Sequence, residues 1–270
     1  MTENKEINEG NQSKGKHGLR KVAVDWLLAM FTIPKCAACR KPISGRGRLL
    51  CRDCELRFST ERAKSCSDCG YPHPLCVCAI EAAGNMYRVV HMVPYDPNYY
   101  GVSSRVVFTA KDKYQAETFA FMASQLREAL EINNVSPQKD WLITWIPRRR
   151  KTVRRIGHDQ SKAIARMLAL GYGMKLTRVF VNTGNKPQKR QNFKGRVMNA
   201  FSSYRVTGEG ERKIKGKKVI IVDDLVTTGA TQHVAISLAM EAGATEVIPL
   251  AFAKTDRGFK KYKINSSKKG

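Results

Sequence analysis

Asp223 and Asp224 stand side by side at the end of the apolar run Val219-Ile-Ile-Val222, and Leu225-Val-Thr-Thr-Gly-Ala-Thr231 follows them. Adjacent carboxylates repel each other unless something between them accepts their charge. The vicinal hydroxyls of a ribose and the waters of a bound Mg²⁺ both do so. The Thr-Thr-Gly-Ala-Thr turn leads into a helical pattern. Backbone N–H groups, the helix N-terminus and the hydroxyls of Thr227, Thr228 and Thr231 can therefore converge on one phosphate. Gly229 lets the backbone approach that anion closely. The reading is a phosphate site at Thr227, Thr228, Gly229, Ala230 and Thr231, with Asp223 and Asp224 as the catalytic pair. A Walker A loop is excluded, because Gly-x4-Gly-Lys-Ser/Thr does not occur.

A second group of chemically active residues lies near the start. All eight cysteines fall between Cys36 and Cys78, as Cys36-x2-Cys39, Cys51-x2-Cys54, Cys66-x2-Cys69 and Cys76-x-Cys78. Two thiolates at C-x2-C spacing on a tight turn present both sulfurs to one tetrahedral ion. Eight thiolates make two four-cysteine sites, so two zinc ions are expected, structural because protein supplies every ligand. Sequential pairing joins Cys36, Cys39, Cys51 and Cys54 in one site and Cys66, Cys69, Cys76 and Cys78 in the other. An interleaved cross-brace uses the same residues, and both pairings stay open. His73, in a Pro-His-Pro setting, reads as a surface residue. Cysteines confined to one stretch favour metal in a reducing cytoplasm over disulfides.

The elements that must position these groups alternate. Strands are expected at 87–94, 141–146, 219–222 and 246–253, and helices at 114–132, 160–170 and 230–242, with a basic loop before Gln160. That order implies an α/β fold with a parallel sheet and right-handed crossovers. Residues 19–31 carry apolar side chains at helical spacing. The expected division is a disordered tail at 1–18, a helix and zinc module at 19–84, the α/β domain at 86–259 and a basic tail at 260–270.

Of the 270 residues, 48 are Lys or Arg and 23 Asp or Glu, a formal charge of +25 that favours polyanionic partners such as nucleic acid. No apolar run approaches the roughly 18 residues of a membrane span, and no signal peptide is evident. A cytoplasmic location is expected. Tyr99, Tyr100 and Tyr204 are candidates for stacking on single-stranded bases.

The loop from Val219 to Thr231 resembles the 5-phosphoribosyl 1-diphosphate (PRPP) motif of type I phosphoribosyltransferases. Together with the cysteine module, Ile146-Pro147, Arg154-Arg-Ile-Gly-His-Asp-Gln160, Lys186-Pro-Gln188, Arg196 and Asn199-Ala-Phe201, the chain is similar to the ComF/ComFC competence-protein family from about Phe31 to Ala253. That family pairs an N-terminal zinc ribbon module with a phosphoribosyltransferase domain. Where its pattern reads Arg-Gly-Phe-Asn-Gln, this chain has Ile156-Gly157-His158-Asp159-Gln160.

The resemblance implies diphosphate contacts from Arg148 and Arg149 and from Lys189, Arg190 and Arg196 in a mobile hood, and it aligns Lys111 with a family lysine. It implies a competence protein that binds PRPP with Mg²⁺ and single-stranded DNA, with pentosyl transfer as its chemistry if active and a helicase or recombination protein as partner. The alternatives are a phosphoribosyltransferase of nucleotide metabolism and a PRPP sensor without turnover. His158 and His233 are the titratable candidates near the site, His233 reading as packing or surface.

Overall fold

The computed structural model describes residues 34–44, 47–96, 101–184 and 202–255. The helix expected at 19–31, both tails, Tyr99, Tyr100, Lys189, Arg190 and Arg196 lie outside the described residues.

The cysteine segment opens on two similar knuckles. In each, the residue four places after the first cysteine, Arg40 or Gly70, takes a positive φ and donates its N–H back to Cys36 or Cys66. Helix α1 (Arg52–Arg62) and a 3₁₀ turn (His73–Leu75) complete the segment, and a hairpin of β1 (Ala79–Ala82) and β2 (Asn85–Arg88) leads out of it. The remaining elements are β3 (Val90–Pro94), α2 (Val102–Asp112), α3 (Ala116–Ile132), β4 (Leu142–Trp145), α4 (Arg150–Ile156), α5 (Gln160–Gly171), β5 (Phe180–Asn182), β6 (Tyr204–Val206), α6 (Gly208–Ile214), β7 (Lys218–Val226), α7 (Ala230–Glu241) and β8 (Glu246–Lys254).

Strands β3, β8, β7 and β4 lie in that order in one parallel sheet, and β5 pairs with β6 antiparallel. The α/β fold expected from the sequence is thus the fold observed. On β7, Ile220 and Val222 face one apolar cluster, while Val219 and Ile221 face another. A strand covered on both faces must be continuously apolar, and 219–222 is.

Three expectations change. Residues 87–94 form parts of two strands, because the chain leaves the hairpin at Val89 and enters the parallel sheet at Val90. The basic loop before Gln160 contains helix α4, stopped by Gly157 at φ 88°. Strand β7 runs four residues past Val222, so both acids lie within it.

The cysteine segment and the sheet share one core. Cys36, Cys54 and Phe58 belong to the same apolar cluster as Phe121 and Phe252, and the Phe58 ring lies 5.0 Å from Phe121 edge-on. Glu61, 3% exposed, reaches from α1 to the start of α2. It accepts N–H bonds from Val102 (2.6 Å) and Ser103 (2.8 Å) and the Ser103 hydroxyl (2.6 Å). The N-cap of α2 is Gly101, which has no capping side chain, so this remote carboxylate takes that role and meets the positive end of the helix dipole. Replacing Glu61 by Ala strands these donors. The expected loss is on the order of 3 kcal/mol, read from the urea midpoint of the metal-loaded protein.

Candidate functional site

The carboxyl ends of the parallel strands meet where α/β sheets usually bind ligands. Asp223 Oδ1 accepts the Ser161 hydroxyl and the Asp224 N–H, both at 2.9 Å. Asp224 is buried, and Arg148 Nη2 lies 3.5 Å from its Oδ2. The backbone N–H of Arg148 donates to Asp159 Oδ2 (3.0 Å), while Asp159 Oδ1 caps α5 through Lys162 N–H. One aspartate therefore locks the loop after β4 to the helix that supplies Ser161. Burial, and then the charge of Asp224, push the Asp223 carboxyl well above the usual range.

After β7 the chain turns through Thr227 and Thr228 to Gly229, whose φ of 76° favours glycine, and α7 begins at Ala230. Asp223 and Leu225–Gln232 line an open recess. The five phosphate-loop residues predicted from sequence are all on its wall. Gln232, 1% exposed, also lines it, with both amide atoms lacking a hydrogen-bond partner.

Arg148 is thus beside the acids. Arg149 is the N-cap residue of α4. Ser161 and Gln232 were missed by sequence reasoning, since nothing in an ordinary helical pattern marks which residue of a first turn will face a distant strand.

Most other candidates sit elsewhere. His158 is buried against Tyr114 and Phe119 and donates Nε2–H to Ala110 O at 2.7 Å. His233 Nδ1 donates to the Glu81 carbonyl. Tyr204 is nearer the acids: it is half-buried against the second apolar cluster, and burial and then the charge of Asp223 raise its phenol pKa. Lys111 lies 5.5 Å from the centre of the Tyr95 ring. His73 is not a surface residue: it is 1% exposed, because the Pro-flanked turn folds it onto β3, where Nδ1 meets His91 Nε2 at 3.1 Å. Burial holds His91 at about 3, so it is neutral and accepts that bond, while its own Nδ1 donates to Val89 O.

The cysteines resolve into two sets, Cys36, Cys39, Cys51 and Cys54, and Cys66, Cys69, Cys76 and Cys78, with the sulfurs of each set within 4.8 Å of one another. Pairing is sequential. Zinc–sulfur bonds of about 2.3 Å in a tetrahedron put sulfurs about 3.8 Å apart. Cys39–Cys51 at 3.7 Å, Cys66–Cys78 at 3.8 Å and Cys69–Cys76 at 3.6 Å have that spacing, so the sites fit zinc. In each set burial pushes one thiol up while N–H and other hydrogen bonds to its sulfur outweigh it, bringing Cys36 and Cys69 down to about 7. Among the described residues no helix is long and apolar enough to cross a membrane.

Comparison with known proteins adds to this geometry. The phosphoribosyl transferase domain family matches residues 161–269. The "DNA utilization protein YhgH" of Salmonella typhi is 25% identical over 228 residues, 81% of this chain and 96% of that protein. Its counterpart in Salmonella typhimurium is 25% identical over 229 residues, with the same coverage. Similar solved structures include TT1426 from Thermus thermophilus, at 15% identity and TM-score 0.33 over 54% of this chain and 78% of that one. Another is a purine phosphoribosyltransferase from Pyrococcus horikoshii, at 19% identity and TM-score 0.26 over 51% of this chain and 81% of that one. The match to the Salmonella proteins is too long to be held by the α/β part alone and must take in cysteine-bearing sequence as well. Residues 161–269 thus match the phosphoribosyl transferase domain family, and over most of its length the chain is similar to ComF-like proteins that carry that domain.

Proposed function

We propose that this protein binds PRPP with Mg²⁺ at the acidic pair and phosphate loop, and single-stranded DNA on its cationic surface, in the handling of DNA taken up by the cell. The observation that carries the reading is Asp223 on the wall of a recess that Thr227–Thr231 also line, with Asp224 next to it in the strand and Arg148 beside Asp224. The 5-phosphate of PRPP takes the loop N–H groups and threonine hydroxyls, and the ribose hydroxyls bond the carboxylates. Mg²⁺, when bound, supplies charge neutralisation at the diphosphate.

Arg148 and Arg149 hold the diphosphate, and Lys189, Arg190 and Arg196 add positive charge to it. For transfer, the bond from the anomeric carbon to the diphosphate oxygen breaks, diphosphate leaves with the bonding electrons, and an acceptor nucleophile takes the carbon. The protein's part is positional and electrostatic. The formal charge of +25 and the relatives' name, DNA utilization protein, support the DNA half of the reading.

Calorimetric titration of PRPP and Mg²⁺ into the zinc-loaded protein is expected to give one saturable site. Anisotropy with a labelled single strand is expected to show affinity that falls steeply with salt. A folded, zinc-loaded protein that ignores millimolar PRPP yet binds the strand would leave only a nucleic-acid scaffold. Diphosphate release on adding a free nucleobase would instead favour an enzyme of nucleotide metabolism.

A further inference from the structure

The second cysteine set is fastened to the phosphate loop from two sides. On one side, β1 begins directly after Cys78, and Arg88 at the end of β2 donates Nε–H to Cys76 O at 2.7 Å, so both ends of the hairpin are tied to this set. Ile80 of that hairpin is 5% exposed and clusters with Val89, Val226 and Ala251. A Cβ at position 229 would come within 2.9 Å of Ile80 Cδ1, so the isoleucine occupies the space directly over Gly229. The Glu81 carbonyl takes the His233 ring N–H in the first turns of α7.

On the other side, Lys254 ends β8 fully buried, with Nζ 3.4 Å from Cys76 Sγ and 3.7 Å from Cys66 Sγ. Its neighbour Thr255 donates N–H to Val226 O at 2.9 Å, one residue before the loop begins. A cationic lysine in the core is tolerable where thiolates face it, and this one joins the sheet to the cysteine set. The first set has a different neighbourhood: Ala37 O accepts the Thr118 hydroxyl of α3, and Cys36 and Cys54 lie in the large core cluster, not in the one that holds Ile80.

We propose that the second cysteine set is the support of the phosphate loop, with Ile80 as its positioning residue, so that PRPP affinity depends on metal at Cys66, Cys69, Cys76 and Cys78. This rests on the PRPP reading above. A loop with no bulky contact on the outer side of Gly229 samples conformations in which its N–H groups no longer converge, and displacements of about 1 Å at such a site cost up to about a hundredfold.

The test compares zinc-loaded wild type with Ile80→Ala and Ile80→Val, by zinc content, calorimetry with PRPP and Mg²⁺, and hydrogen exchange of the amides at 226–233. Ile80→Ala is expected to keep two zinc ions, bind PRPP about tenfold or more weakly and exchange faster at those amides, with Ile80→Val restoring both readouts. Equal PRPP affinity and equal exchange in Ile80→Ala would overturn the inference. Cys78→Ser is expected to speed exchange at 226–233 and Cys39→Ser to leave it unchanged; the reverse pattern also overturns it. If wild type itself binds no PRPP, the functional reading fails, while the exchange comparison still decides whether the set supports the loop.

Discussion

Replacing Asp223 and Asp224 together by asparagine is expected to cut PRPP–Mg²⁺ affinity by about 10²–10⁴, since two charge-assisted contacts of roughly 1.5–3 kcal/mol each are lost. The same variant is expected to melt at a higher temperature than wild type. In the fold Asp223 is pushed above its ordinary range by burial and by Asp224. The native state therefore holds its proton at pH values where the unfolded chain has already released it, and stability falls as pH rises from about 4, the ordinary aspartate value, through the raised one.

Asparagine does not ionise, so the gain is present at neutral pH and vanishes near pH 4. Each 1 kcal/mol of relief moves the midpoint by about 2–4 °C in a domain of this size. Calorimetric scans at the two pH values measure it. Ligand binding has the opposite pH sign, because the ionised carboxylates are the binding form, and wild-type affinity is expected to rise with pH. Asp224→Asn alone removes the like charge, so its profile should move to lower pH. A variant that binds as wild type does, or an unmoved profile, places the ribose site elsewhere.

Removing zinc has the largest expected effect on stability. Four-thiolate sites contribute about 10–16 kcal/mol of binding free energy in isolated zinc modules. Cys36, Cys54 and Phe58 share a core with Phe121 and Phe252, so loss of the ribbon uncovers the face of the sheet as well as the knuckles. Chelation is expected to lower the melting midpoint by more than 10 °C, about 3 kcal/mol or more at this size. It should also expose apolar surface to dye. Circular dichroism and zinc content followed during titration with a chelator check this. A protein that releases two zinc ions with an unchanged midpoint would show that the sheet stands without the cysteine segment.

How much was legible follows from how local each feature is. The run 219–222 is apolar at every position, as a strand covered on both faces has to be, so β7 and the acids after it were readable. The strand's extension to Val226 was not, because aspartates disfavour strands and only pairing with β8 holds them there. Helix α4, built of Arg150-Lys-Thr-Val-Arg-Arg-Ile156, buries none of its residues, so it carries no apolar stripe to find.

The sequence by itself determined the ligand inventory: eight thiols at knuckle spacing, two acids at a strand end, and a Gly-centred turn opening a helix. Each is set by residues within a few positions, where chain geometry leaves little choice. The tertiary structure alone decided that the cysteines pair sequentially and that Ser161 holds Asp223. It also decided that Glu61 caps a helix 41 residues away, and that Lys254, 188 residues from Cys66, meets its sulfur. Such contacts depend on which elements the sheet order β3-β8-β7-β4 makes neighbours, and a burial pattern states only that a side chain is covered, never by what.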